Sequence, residues 1–535
     1  MGERRGNFCA MVTAWQEPVR AAAAAGDKAR VRTLLDAALA GNPADRAARR
    51  ERVRLALAAA DNRAALPDLE VLVAAEPQNP DGHGMLGVVR QTLGDLRGAA
   101  TAFESALRLR PNHAPTAHLL GALLVRLNDI PRAIEVLATA ERLAPGNGAV
   151  LATCAAALAR GERLAESETM ARRALTIDPS LVEAWVNLGT ARRLQGDNEG
   201  ALAATDEAVR RAPDLAEAHV NRALALLSLG RFEEGWRENE WYWRQPHTPP
   251  RPFRQSWWDG SSVAGTVLVW GDQGIGDQIW SSAFLPTAIA AGHRLVVECE
   301  PRLVPLFARS FPSVEVLART DPPHPRLSDP DVVAQTPITR LAALAWARDR
   351  TAARPADRLS VDEPRRDEIR RRYHARAGGR KLVGIAWRSR KPDGRLAELP
   401  LIQWAPLLNR RDLSFVDLQY GDTSGDRAAV DRQLGVEVMR DLTLDSMSDL
   451  DGFAAQVAAL DAVATTVNAT VATALAVGTP VDVAVRAHQP DWRYPPRVGA
   501  SPWLPGARLH RQSDPARWDD VMAAVAAAVG RPTGT

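Results

Sequence analysis

Six prolines, Pro43, Pro77, Pro111, Pro145, Pro179 and Pro213, stand at an unbroken interval of 34 residues. This period constrains the first half of the chain more than any local pattern does. Proline cannot continue a helix, so each one marks a break between units of equal length. Small residues keep the same phase. Gly87, Gly121, Ala155, Gly189 and Ala223 recur once per unit, and Ala106, Ala140, Ala174 and Ala208 supply a second small position where paired helices cross closely. Gly94, Gly196 and Gly230 mark the turn between the two helices. Each unit reads as two antiparallel helices that cannot bury their apolar faces alone, so stacking the units makes a continuous core with a concave face.

A 34-residue helical repeat has the length of the tetratricopeptide repeat, which predicts an array over 1–244. Its concave face is either a structural spacer or a groove for a protein partner. Asn187 and Asn221 occupy one column of successive repeats, each two places before the small residue of its unit. If that column lines the groove, the amides form a short acceptor-binding ladder, donating to and accepting from an extended peptide backbone. Otherwise asparagine is simply tolerated there.

The chain has 535 residues, 46% of them apolar, enough for several cores. The 67 basic residues nearly cancel 64 acidic ones, and no basic stripe with interleaved aromatics appears, which argues against nucleic acid as a partner. Cys9, Cys154 and Cys299 are too few and too scattered for a disulfide framework or a zinc site, and favour a reducing, cytoplasmic setting. Arg4 and Arg5 are followed by an apolar stretch too short for an export signal. The most apolar window, 462–485, contains Asn468, Pro480 and Asp482, so a buried strand and helix are expected there rather than a membrane span.

At 231–244 the last repeat ends in Phe232, Trp236 and Trp243, placed to pack against the next part of the chain. Pro246, Pro249, Pro250 and Pro252 then predict a stiff connector over 245–256, with Trp257 and Trp258 anchoring its far end. Beyond it strands and helices alternate. Strands are expected at 267–270, 294–298 and 314–317, with helices after the first and at 301–311, a βαβαβ pattern. The segment 321–330 reads as a loop, and 331–362 is left unassigned. A basic helix comes next with Asp367 to Arg371 and Glu368 to Arg372 spacing, read as a solvated face. A second series places strands at 382–387, 414–419, 462–467 and 481–485, and helices at 403–409, 426–434, 450–460 and 469–477. A final helix at 515–529 is long enough to lie across the first lobe. Two Rossmann-like lobes are expected, 257–362 and 363–535.

The stretch WGDQGIGDQI at 270–279 carries the clearest functional signal. The apolar run before it reads as a strand buried on both faces. Gly271, Gly274 and Gly276 allow positive φ and close backbone approach at the strand's carboxyl end, where open α/β sheets bind ligands. Asp277 is either an ordinary helix-start residue or a base facing the crevice.

Five strings in order, WGDQGIGDQIWSSAFLP, ECEPRLVPLFARSFP, GIAWRSR, FVDLQYGD and DWRYPP, make the chain resemble a bacterial family of tetratricopeptide proteins with a C-terminal glycosyltransferase domain, some of which modify flagellin. The domain is also similar to lipopolysaccharide heptosyltransferases and, in layout, to the O-linked N-acetylglucosamine transferase. The resemblance implies an α superhelix followed by an α/β GT-B fold. A nucleotide sugar would be held mainly by the second lobe as substrate, with no resident cofactor or metal, and a protein acceptor, flagellin in some members, would enter from the first. Asp277 then matches the acid near the acceptor hydroxyl. Arg388, Lys391 and Arg395 become a clamp on the leaving phosphate, helped by the N-terminus of the helix entered at Asn468. Asn468 and Thr470 can cap that helix and hydrogen-bond, and Gln419 and Tyr420 either meet the nucleotide base or pack as core or rim. One departure stands out. Related enzymes commonly carry Asp-Thr at this turn and a histidine within the helix, where this chain has Asn468, Ala469 and Thr473. That leaves a second function open: an adaptor whose transferase domain only holds a client or nucleotide.

Overall fold

A computed structural model describes residues 15–245, 248, 251, 253–350, 359–390, 396–495 and 501–531. It falls into two compact units, Met1–Ala191 and Arg192–Thr535.

Among the described residues, the first unit contains five complete helix pairs: Gln16–Ala24 with Lys28–Gly41, Arg46–Ala58 with Asn62–Ala75, Pro80–Thr92 with Leu96–Leu109, Ala114–Arg126 with Ile130–Leu143, and Gly148–Arg160 with Leu164–Ile177. The small positions do what the period requires of them. A Cβ on Gly87 would lie 2.6 Å from the Phe103 ring, and one on Gly121 would lie 2.4 Å from the Leu137 side chain. Each of these repeats thus pairs a residue without a side chain with a large buried one 16 positions later. The turn between helices is left-handed at Gly26, Ala60, Gly94, Asn128 and Glu162, a 34-residue column of which two members in this unit are glycine. Asp27, Asp61 and Asp95, next in that column, cap the second helix by accepting from the backbone N–H groups of Arg30, Ala64 and Gly98. Aspartate at this column is a repeat signal that the prolines and glycines overshadow in the sequence.

The second unit begins with the end of the helix Val182–Leu194, followed by Asn198–Arg211, Ala216–Ser228 and Phe232–Asn239. Gly196 and Gly230 continue the left-handed turns there. Then come two parallel sheets with flanking helices, an α/β arrangement. The first comprises β1 (Ser256–Trp257), β2 (Thr266–Trp270), β3 (Arg294–Cys299), β4 (Glu315–Ala318) and β5 (Val332–Pro337), in the order β1-β5-β2-β3-β4. The second comprises β6 (Lys381–Ala386), β9 (Leu413–Asp417), β10 (Val438–Met439), β11 (Ala462–Thr466), β12 (Val481–Val485) and β13 (Ala507–Arg511), ordered β10-β9-β6-β11-β12-β13. A hairpin, β7 (Arg388–Arg390) with β8 (Leu396–Glu398), projects after β6. β2 is buried along its whole length, as its uninterrupted apolar run requires.

Several expectations need correction. The unassigned segment supplies β5, which sits beside β2 in the middle of the first sheet, and the helix Leu341–Asp349. Polar Gln335 and Thr336 hide that strand in the sequence, yet both are buried. The 301–311 helix is a short 3-10 turn at Pro301–Leu303 followed by Val304–Ser310. The last helix, Asp519–Ala528, does not cross the first lobe: Val521, Met522 and Val525 pack with Leu407, Leu408 and Phe415 of the second. On the basic helix Glu363–Ala377, Arg372 reaches across to Asp441 at 2.8 Å rather than pairing with Glu368, and Arg370 reaches Asp461 at 2.7 Å, so the helix is not simply a solvated face.

Aromatic residues join the pieces of this unit. Phe232 and Trp236 of the last repeat meet Trp346 and Trp503, and Trp492 and Trp503, respectively. Trp280, from the helix after β2, adds contacts to Trp492 and Trp503 and donates its indole N–H to the Trp503 carbonyl at 2.8 Å. Trp243 packs on Trp257 and Trp270. Trp258 is buried, while Trp257 is 39% exposed. The connector's prolines lie outside the described residues.

Candidate functional site

At the carboxyl end of β2 the chain turns through Gly271 to Gly276 and enters the helix Ile275–Ser282. None of the three glycines is left-handed. That conformation falls on Gln273, with φ of 57°. Close approach is what the glycines provide. A Cβ on Gly271 would come within 2.5 Å of Gln278 Oε1, and one on Gly276 within 3.2 Å of Ala469 Cα. Gly274, whose Cβ would meet only Asp277 Oδ2 at 3.5 Å, is the least constrained.

Ala469 opens the helix Ala469–Val477 of the second lobe, so the helix starts of the two lobes face each other across Gly276. Asn468 caps this helix in an extended conformation. Its Oδ1 accepts from the Thr470 N–H at 3.0 Å and from Thr465 Oγ1 at 3.2 Å, while its Nδ2 donates to the Arg388 carbonyl at 3.3 Å. One asparagine thereby ties the second lobe's helix start to the strand that leads out of β6. The glycine turn, the Asn468 cap and the Arg388 backbone converge on one place.

The side chains there differ from the expected set. The Arg388 guanidinium is ion-paired with Asp426. Lys391 and Arg395 lie outside the described residues. Gln419 is buried, and its Oε1 accepts from the backbone N–H groups of Trp387 and Arg388 at 3.0 and 2.8 Å. It positions the strand exit, with its carbonyl oxygen fully engaged by backbone. Tyr420 is half-buried and its hydroxyl has no hydrogen-bond partner among the described residues. Thr470 and Thr473 are both buried, and Thr473 Oγ1 donates to the Ala469 carbonyl at 3.1 Å, inside its own helix.

The cation beside Asp277 is Arg493, a residue of the DWRYPP string to which the sequence pattern assigns no role. Its Nη2 lies 3.0 Å from Asp277 Oδ1 and 2.7 Å from Asp491 Oδ2, and its guanidinium sits 5.0 Å from the Trp280 ring centroid. Burial alone would lower the Arg493 pKa, but Asp491 and Asp277 outweigh it and raise the pKa above the ordinary arginine value. Two carboxylates share one guanidinium, so the trio carries a net negative charge. The Asp277 side chain keeps 31% exposure, which leaves it reachable.

A second acid escapes the sequence reading as well. Asp272 is buried beneath the glycine turn and accepts from the Thr339 N–H at 3.1 Å and from Thr339 Oγ1 at 2.6 Å. Burial pushes its pKa up to about 6, the Thr339 bonds offset part of that effect, and the charge of Asp277 adds to it. Its signal in the sequence is a polar residue in the first turn after a strand buried on both faces.

The two acceptor candidates lie in different units. In the first, Asn187 Nδ2 donates to the Ala152 carbonyl of the preceding repeat at 2.9 Å, so its amide joins neighbouring helices. In the second, Asn221 is half-buried. The column of Asn187 carries Met85 and Leu119 in earlier repeats, 40% and 37% exposed, beside a cavity of about 310 Å³. No helix among the described residues is long and apolar enough to cross a membrane.

The tetratricopeptide repeat family matches residues 50–114, 92–158 and 186–235. Protein FlbA of Caulobacter vibrioides (strain ATCC 19089 / CIP 103742 / CB 15) is 29% identical over 440 residues, 70% of this chain and 71% of that protein. Among solved structures, MamA from Desulfovibrio magneticus RS-1 is 22% identical and covers 32% of this chain and 96% of its own, with a TM-score of 0.30. A tetratricopeptide repeat protein from Parabacteroides merdae is 15% identical and covers 45% of this chain and 94% of its own, with a TM-score of 0.36.

Proposed function

We propose that the chain is a glycosyltransferase of GT-B layout that takes a protein acceptor on its repeats, with flagellin the first candidate, and a nucleotide-activated sugar between the lobes. The observation that supports this reading is the meeting of Gly276 with Ala469, which brings the turn that carries Asp277 against the N-terminus of the helix Ala469–Val477. A glycosyl transfer needs a group that accepts the proton of the acceptor hydroxyl and a positive region that stabilises the departing phosphate. Asp277 serves as the first, beside an Arg493 guanidinium that it shares with Asp491. The helix N-terminus capped by Asn468 serves as the second, through the positive end of its dipole. Arg388 contributes its backbone carbonyl, which positions Asn468, more than its charge.

Incubating the purified chain with candidate flagellins and a panel of nucleotide sugars, followed by intact-mass analysis, tests this reading. A mass increase of one glycosyl unit that depends on Asp277 is expected. Absence of transfer and of sugar-nucleotide hydrolysis across the panel, with client binding retained, would favour the adaptor. That second reading has its own supporting feature: Asn468 and Thr473 stand where related enzymes commonly carry an acid and a histidine, and Thr473 is turned into its own helix.

A further inference from the structure

Along the first unit, the polar members of one helical column are used inside the chain, and the apolar members are left open. Thr153 Oγ1 donates to the Ala149 carbonyl at 3.0 Å and lies 2.8 Å from His118 Nε2, and Asn187 Nδ2 donates to the Ala152 carbonyl at 2.9 Å. Met85 and Leu119 hold the same column in the two preceding repeats and stay 40% and 37% exposed, and Val88 beside them is 45% exposed. Together with buried Val89 and Phe103 they line a groove of about 310 Å³. A run of exposed apolar side chains on one face is what a protein surface keeps for a partner.

The polar side chains that line this groove are turned to one another. Arg110 grips Asp81 through two bonds of 2.7 and 3.1 Å, and His113 Nδ1 lies 2.7 Å from Thr116 Oγ1. A charged group entering here would give up water without gaining an opposite charge, whereas an apolar group gains by burial. Gly84 lines the groove as well, and a Cβ there would meet nothing within 4 Å, so helix backbone is left bare for another protein's main chain to approach. An apolar cavity of about 150 Å³ already takes a benzene ring, so the groove has room for two side chains of leucine or phenylalanine size. Met85 adapts its shape to either, being unbranched and flexible.

We propose that the groove bounded by Met85, Val88 and Leu119 anchors the protein that the repeats hold, and that it takes an uncharged segment of that protein through two apolar side chains. Recognition in this unit then runs on side-chain burial, with the Asn187 amide left to the scaffold. This rests on the reading of the repeats as the acceptor-holding arm and is independent of the transfer chemistry.

Fluorescence anisotropy tests it, with the full chain titrated against a labelled peptide of serine and glycine that carries two leucines, and against the same peptide with two asparagines or two glutamates in their place. Saturable binding of the leucine peptide alone is expected. Met85→Glu and Leu119→Glu should each weaken it about tenfold or more, the worth of one buried leucine contact. Met85→Leu should keep it. Val71→Glu, at a side chain 43% exposed outside the groove, should leave it unchanged. All of these side chains are exposed, so the variants should fold, and their Tm values check that. Equal binding of the asparagine peptide, preference for the glutamate peptide, no saturable binding, or equal losses in Val71→Glu and Met85→Glu would each overturn the proposal. Conversion of a dimer to a monomer by Met85→Glu, read by light scattering, would assign the groove to a second copy of the chain and overturn it too. Glycosyl transfer to flagellin, assayed in parallel, separates the two readings. Transfer without leucine-peptide binding overturns the groove alone, and binding without transfer supports the groove and counts only against the enzyme.

Discussion

Gly276 lies so close to Ala469 that a Cβ at position 276 would be 3.2 Å from both Cα and Cβ of that residue. The contact joins the first turn of the helix after β2 to the start of a helix in the other lobe, and backbone atoms on the far side cannot swing away as a flexible side chain would. Gly276→Val should therefore lower stability by about 1–3 kcal/mol, the usual range for overpacking. Chemical denaturation of the full chain checks this. A variant as stable as the parent would mean that the two lobes part easily here.

On the proposed transferase reading, Asp277→Asn should reduce glycosyl transfer by roughly two decades or more while leaving donor affinity nearly unchanged, because it would remove the proton acceptor and leave the helix N-terminus intact. Steady-state kinetics with donor and acceptor varied separately make the comparison. Arg493→Met should disturb the same step through the position of Asp277, since the guanidinium bridges that acid to Asp491. Unchanged turnover in Asp277→Asn would remove the residue from the chemistry.

Asp272 makes stability depend on pH. Its folded-state pKa of about 6 lies above the ordinary value of 3.8, so the folded protein holds this proton more tightly than the unfolded chain does. The associated stability is fully present below about pH 4 and is lost as pH rises through about 6, a loss on the order of 3 kcal/mol. Asp272→Asn abolishes the titration. The Tm of the variant minus that of the parent should therefore shift in the variant's favour between pH 4 and pH 7. A difference independent of pH would show that Asp272 does not titrate there.

Asn187→Ala should cost about 1 kcal/mol of stability, the usual net worth of a hydrogen bond, because it releases the Ala152 carbonyl. The KM for a protein acceptor should stay the same. A raised KM with unaltered stability would restore Asn187 to the acceptor face.

Glu162 holds a left-handed turn at φ of 62° where glycine fits without strain. Glu162→Gly should stabilise the first unit by up to about 1 kcal/mol, and Gly94→Ala, in the same column at φ of 88°, should destabilise it by a similar amount. Thermal melts of the two variants should move in opposite directions.

The repeat period is legible because the same steric problem recurs every 34 residues and is solved with the same few residue types. Gly87 and Gly121 are small because Phe103 and Leu137 occupy the space opposite. The α/β half is readable where a strand is apolar throughout, as in β2, and the helix Ala469–Val477 matches its expected bounds to the residue. β5 escapes because its buried polar residues are satisfied by partners far away in sequence: Gln335 Oε1 accepts from the Trp270 indole at 2.6 Å. At the site, the sequence singles out the glycine turn and the Asn468 cap, whose backbones meet, but not the ion pairs around them. Arg388 comes after a strand, as a phosphate clamp should, but whether a guanidinium is free depends on Asp426, 38 residues on. Arg493 reaches Asp277 across more than 200 residues of chain, a proximity that no local pattern encodes.

The tryptophan cluster has a consequence for anyone who would graft the α/β half of this chain onto a different repeat array. The change of composition at 245 looks like a natural place to cut, yet Phe232 and Trp236 lie before it, and their ring neighbours Trp346, Trp492 and Trp503 lie after it. Severing there would strip one wall from an aromatic core and expose it to solvent. The last helices before the connector belong to the transferred module, and a functional chimaera has to be spliced upstream of them.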